Sequence, residues 1–169
     1  LMDVARRGMF LSYLTYLLGF GVLSAFGHFL LVLIDANVDF PSPLLWYLIG
    51  FAFFTQRFGA NHIQLYSTTN RIIWHWANGI QGVITIIASL YLGPRFGGVG
   101  FAASILIGSL CYATYAVTFS YGIFKTSRLR FETHAAIAPF CLLMFLALAE
   151  WLFSLSESVS LIAQRILSL

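Results

Sequence analysis

Two groups of polar residues interrupt otherwise apolar sequence, and their spacing limits what they can do. Arg57, Asn61 and Gln64 stand at i, i+4, i+7, which puts them on one face of a helix. Arg71, His75, Asn78 and Gly82 follow at i, i+4, i+7, i+11, with Gln81 beside them, as a second stripe. A guanidinium halfway along an apolar segment costs from about 3 kcal/mol on insertion scales to about 10 or more on an isolated helix. Arg57 must therefore face a partner, water or an anionic ligand. Guanidinium suits phosphate, because it donates paired hydrogen bonds. The alternative for Arg57 is an internal ion pair or a carbonyl-capped packing role. For Asn78 and Gln81 it is interhelical hydrogen bonding, worth about 0.6 kcal/mol per contact. Arg57, Asn61, Gln64, Arg71, His75, Asn78 and Gln81 are the candidate substrate-binding residues of a wet, cationic cavity.

The elements that position these residues follow from composition. The chain has 169 residues, 60% hydrophobic and 9% charged, with mean hydropathy +0.87. That is too apolar for a soluble domain of this size, so the fold class is all-α, a polytopic transmembrane helix bundle. Near-continuous apolar runs, without dyad alternation, exclude a membrane barrel. Five segments, at about 8–34, 44–66, 71–92, 99–124 and 135–155, are long enough to span about 30 Å of hydrocarbon. They form one transmembrane domain over 1–169. Asp35 to Pro43 breaks the chain between the first two, and Gly93-Pro94-Arg95-Phe96-Gly97-Gly98 turns it between the third and fourth. The few residues around Ser67–Asn70 make the second and third segments antiparallel neighbours, so their polar faces can line one cavity. The tail, Glu157 to Leu169, has an amphipathic look and is too short to cross unaided.

Arg6, Arg7, Arg71, Lys125, Arg128 and Arg130 collect on one side, and Arg95 and Arg165 lie on the other beside Asp35, Asp39 and Glu157. The positive-inside rule then places the N-terminus in the cytoplasm, in the cell inner membrane. The net charge of +3 is explained by this topology and carries no nucleic-acid signal. Trp46, Trp74, Trp76 and Trp151 lie near helix ends, as interfacial anchors do. Cys111 and Cys141 read as small buried hydrophobes with no disulfide framework or metal spacing. His28 reads as a packing histidine. Glu150 serves either as a cation site or as a headgroup contact. Glu132 and His134 resemble an interfacial cap more than a catalytic pair. A membrane enzyme built from His62, His75, His134 and Glu132 lacks any supporting spacing, so no catalysis, cofactor or metal is expected. Gly100, Ser104 and Gly108 have the small-xxx-small spacing that lets helices approach closely.

The stretch Asn78-Gly-Ile-Gln-Gly82, followed by Leu90-Tyr-Leu-Gly93-Pro-Arg-Phe-Gly97-Gly98-Val-Gly100-Phe-Ala-Ala103, resembles the C-terminal half of Wzx-like polysaccharide flippases. These belong to the multidrug/oligosaccharidyl-lipid/polysaccharide exporter superfamily. The first segment, ending at Leu33-Ile-Asp35 with Phe40 beyond, is similar to the helix that opens their second lobe. The resemblance implies flipping of a lipid-linked oligosaccharide by alternating access, for polysaccharide or lipopolysaccharide biosynthesis. Arg57 would meet the diphosphate, and Arg71, His75, Asn78 and Gln81 would line the sugar route. The implied partners are the lipid-linked oligosaccharide, membrane lipids, and a missing N-terminal lobe or second membrane chain. The start at Leu1 reads as that of a fragment. A drug/cation antiporter of the same superfamily is a rival reading, disfavoured because Glu150 is the one carboxylate expected near the bilayer interior. A non-catalytic membrane subunit is another.

Overall fold

The computed structural model describes residues 2–71, 73–122 and 128–167, with side chains as far as Leu152. Lys125, the side chains of Glu157 and Arg165, and with them the amphipathic character of the tail, fall outside the described residues. Helix α1 runs over Met2–Leu33, α2 over Pro43–Ser67, α3 over Trp74–Tyr121, and α4 over Arg128–Glu132. A π-helical turn, Thr133–Ile137, joins α4 directly to α5, Ala138–Leu167. The described residues are helical apart from short connections and contain no strand.

Among the described residues, three helices are long and apolar enough to cross a membrane: Met2–Leu33, Trp74–Tyr121 and Arg128–Leu152. Leucine, phenylalanine and isoleucine side chains cover their outer faces, among them Leu11, Phe29, Ile86, Leu90 and Phe145. Such a surface is stable against lipid and not against water. In α2, the polar residues Gln56, Arg57, Asn61, His62 and Gln64 dilute the apolar character.

The longest helix is not straight. Gly97 has φ 57° and ψ −134°, a backbone conformation that only glycine adopts without strain. Pro94 just before it also withholds a helical hydrogen bond. The chain folds back there, so 74–96 and 98–121 are two arms of a hairpin. A Cβ on Gly100 would strike the carbonyl of Leu92, and one on Gly108 would strike the hydroxyl of Thr85 and lie 3.1 Å from the oxygen of Gln81. The small residues thus set how closely the arms approach, as the sequence spacing implies.

Helix α2 packs on this hairpin. Gly59 lies against Tyr112 and Ala113, and Gly98 against Leu45, so α2 runs parallel to arm 98–121 and antiparallel to arm 74–96. The link between α2 and α3 closes with hydrogen bonds from Thr68, Thr69 and Asn70 to the carbonyls of Leu65, Tyr66 and Ser67, and Asn70 takes φ 64°. Helix α1 lies antiparallel to α2. An aromatic ladder joins them: Tyr13 on Phe54 at 5.2 Å and Phe20 on Trp46 at 4.9 Å. Tyr16 donates to the Gly50 carbonyl at 2.7 Å and the Trp46 indole to Ser24 at 2.6 Å. Helix α5 completes the bundle through Phe140, which meets Phe51 and Phe54. The main core combines Met9, Tyr13, Leu17, Phe54, Phe131, Ala135 and Leu143.

Candidate functional site

Arm 98–121 and α5 make little direct contact, because α2 stands between them as a floor. The space left is a cleft of about 460 Å³. Phe54, Thr55 and Phe58 of α2 form its base. Leu110, Ala113, Thr114, Val117 and Thr118 form one wall, and Ala136, Ile137 and Phe140 the other. The Thr114 and Thr118 hydroxyls donate to carbonyls one turn back in their own helix, so they leave the cleft mostly apolar. One charged residue lines it, Glu132.

Glu132 is held by a polar cluster at the end of the bundle. Its Oε1 accepts a hydrogen bond from the Tyr121 hydroxyl and lies 2.8 Å from His62 Nε2. The Nε2 position is not well aligned on that carboxylate for a hydrogen bond, so the contact is one of proximity. His62 is fully buried, and its Nδ1 lies 2.7 Å from the hydroxyl of Ser120. Arg128 sits over the Tyr121 ring at 5.0 Å. Beside this group, Tyr13 and Asn61 are both buried, and neither the Tyr13 hydroxyl nor Asn61 Nδ2 finds a well-formed hydrogen bond. Glu132 Oε2 is likewise buried and unpartnered. Unsatisfied polar atoms buried together are costly, at about 1–3 kcal/mol each, and mark a place where a ligand, a proton or water completes the bonding.

The residues expected from spacing fall elsewhere, with one exception. Asn61 is buried in this cluster. Arg57 is exposed, donating from Nε to the Ser12 hydroxyl of α1 at 2.7 Å. Gln64, Arg71, His75 and Asn78 are exposed and Gln81 is half-buried. The two stripes do not converge on the cleft, because α2 turns its Phe54–Phe58 side to it and arm 98–121, not arm 74–96, forms the wall. Glu150 accepts a hydrogen bond from Tyr47 at 2.6 Å. His134 is exposed and His28 is exposed, so Glu132 pairs with His62 and not with its sequence neighbour. The signal for that pair was present as a buried-segment histidine and a carboxylate at a helix start. Nothing in their spacing connects positions so far apart. Among the described residues no three His, Cys, Asp or Glu side chains gather as a metal site.

A family model described as "Putative inner membrane exporter, YdcZ" matches residues 13–148, a span that includes the last two-thirds of α1, α2 to α4, the cleft and most of the membrane-length part of α5. The chain belongs to the YdcZ inner membrane exporter family. No curated protein and no solved structure matches it significantly. Membership of the YdcZ family overturns the expected kinship with Wzx-like flippases. The glycine-rich stretch that carried that resemblance has a general physical cause. Gly97 supplies the reversal, and Gly100 and Gly108 supply the close approach, that any tight hairpin of membrane helices needs. As a YdcZ-family protein with apolar membrane-length helices, the chain is a multi-pass inner membrane protein and a transporter.

Proposed function

We propose that this YdcZ-family exporter moves a small, largely apolar molecule that carries a positive charge. The observation that supports this reading is the pairing of an apolar cleft of about 460 Å³ with a single lining carboxylate, Glu132. Apolar walls favour an apolar solute by about 25 cal/mol per Å² removed from water. The carboxylate supplies a counter-charge at one end, where a low dielectric makes that attraction strong. From the sequence, a cation exporter is disfavoured because Glu150 is the one carboxylate expected near the bilayer interior and Arg57 would repel cations. Glu132 meets the first objection, since the fold carries it from a helix start to the cleft wall.

Five crossings fit this role: α1, α2, the two arms of α3, and the run from α4 through α5. Arg6, Arg128 and Arg130 stand at the bundle end that holds His62, and Arg95 at the opposite end, so that first end, with the N-terminus, faces the cytoplasm. Transport proceeds by alternating access, without covalent chemistry, enzymatic activity or a cofactor. It requires a second bundle to rock against this one. Arg57 favours such a partner, because an exposed guanidinium midway along α2 is expensive against lipid and affordable against a second copy or another membrane chain.

The test is export of lipophilic cations of graded size from cells or proteoliposomes, for the parent chain and Glu132→Gln. Loss of export in Glu132→Gln, with membrane insertion and helicity kept, is the expected result. Undiminished export of every cation by Glu132→Gln rejects the site, and export confined to neutral or anionic solutes rejects the substrate class.

A further inference from the structure

A second pocket, of about 260 Å³, opens at the same end of the bundle and outside the cleft. Met2, Asp3 and Arg6 of α1 line it together with Arg130 and Phe131 of α4. Arg6 and Arg130 come from opposite parts of the chain, and the fold brings them to one mouth. Arg6 pairs with Asp3 at 2.7 Å, and Asp3 is 78% exposed. Arg130 has no acidic partner among the described residues. Two guanidiniums against one carboxylate leave the pocket with a net positive charge. Its floor is apolar, since Phe131 is buried and Met2 packs against the same core. Val4 and Leu129, next in sequence to the lining residues Asp3 and Arg130, are exposed apolar side chains.

We propose that this pocket binds a phosphate group, supplied by the headgroup of an anionic phospholipid. Paired guanidiniums are the side chains best matched to phosphate oxygens. Basic pockets between membrane helices at the cytoplasmic face take phospholipid headgroups in this way. The volume exceeds several waters at about 30 Å³ each, which leaves space for a phosphate ester. The exposed apolar side chains of Val4 and Leu129, next to lining residues, give acyl chains a surface to lie on, which a free anion does not need. Occupancy would tie α1 to α4 one residue from Glu132, and so steady the helix start that presents the carboxylate.

The probes are phosphatidylglycerol, phosphatidylcholine and inorganic phosphate, added to the purified chain in an uncharged detergent. Bound lipids are counted by native mass spectrometry. Phosphatidylglycerol is expected to bind as one retained molecule and phosphatidylcholine not at all. Arg130→Gln and Arg6→Gln are each expected to weaken binding about fivefold, the effect of about 1 kcal/mol per basic residue. Asp3→Asn should tighten it by a similar factor, an outcome that misfolding does not produce. Arg7→Gln, a change at an exposed residue outside the pocket, should leave it unaltered. Equal weakening by Arg7→Gln, or no response to Asp3→Asn, overturns the site. Competition by millimolar inorganic phosphate with the same variant pattern retains the phosphate chemistry and rejects the lipid as its source.

Discussion

Replacing Gly100 by alanine tests the hairpin whose second arm forms one wall of the cleft. The added Cβ would meet the Leu92 carbonyl oxygen, with the Leu92 carbonyl carbon at 2.6 Å and the Gly93 nitrogen at 3.1 Å. All three are backbone atoms, so no rotamer change relieves the clash. Carbon atoms rest at about 3.5–4.0 Å, so the two arms must separate by about 1 Å. Overpacking of this kind costs about 1–3 kcal/mol. Against it stands the helical advantage of alanine over glycine, about 0.5–1 kcal/mol, which leaves a net loss of about 1–2 kcal/mol. For a chain of this size that lowers the unfolding midpoint by about 2–8 °C. Two companions separate the causes. Gly82→Ala meets no atom within 4 Å and should raise the midpoint slightly. Gly97→Ala also meets nothing within 4 Å, but its φ of 57° is strained for any Cβ, so a loss of about 1–3 kcal/mol is expected from the backbone alone. The assay is thermal unfolding in detergent, followed by helical circular dichroism. A Gly100→Ala protein as stable as Gly82→Ala would show that the arms do not pack as described.

Three further outcomes follow from the same contacts. Tyr47→Phe removes the hydrogen bond to Glu150 and should destabilise the α2–α5 contact by about 1–3 kcal/mol, measured by the same unfolding assay; no change would mean that Glu150 finds another partner. His62→Ala removes the Nδ1 contact to Ser120 and opens a cavity among Phe58, Tyr121 and Phe131, so a loss of about 2–5 kcal/mol is expected in the unfolding assay, whereas His62→Gln should recover part of it. Thr114→Phe projects into the cleft from a partly open wall; export should fall at least tenfold with the unfolding midpoint within about 0.5 kcal/mol of the parent, and unaffected export would move the substrate route elsewhere.

Much of the architecture is readable from local rules. Residues 35–43 carry Pro41 and Pro43, and α2 begins at Pro43, because proline suits the first turn of a helix. Gly93–Gly100 announces a reversal, and the reversal occurs at Gly97. Arg6, Arg128 and Arg130 stand at one bundle end, as their positions relative to the apolar runs imply. The candidate site was legible only in part. Periodicity identifies that Arg57, Asn61 and Gln64 share a helix side, but not which neighbour that side meets. Burial separated them: Asn61 is inside, and Arg57 and Gln64 are outside. The rotation of α2 was set by its aromatic face, where Phe54 and Phe58 pack against Tyr13 in tilted ring contacts, because large apolar contacts outweigh individual polar ones.

The sequence by itself determined that this chain is an all-helical membrane protein, where its chain reversals lie, and which bundle end collects its positive charge. These properties depend on hydropathy, backbone freedom and residue order, all of which are local. Only the tertiary structure decided that His62, Ser120, Tyr121 and Glu132 form one cluster, that this cluster closes an apolar cleft, and that Arg6 meets Arg130. Those pairings depend on which helix faces pack together, and a chain this uniformly apolar offers many nearly equivalent faces. The choice among them rests on a few tight contacts, such as Gly59 on Tyr112 and Gly108 on Thr85, whose fit is a property of two surfaces and not of either sequence segment alone.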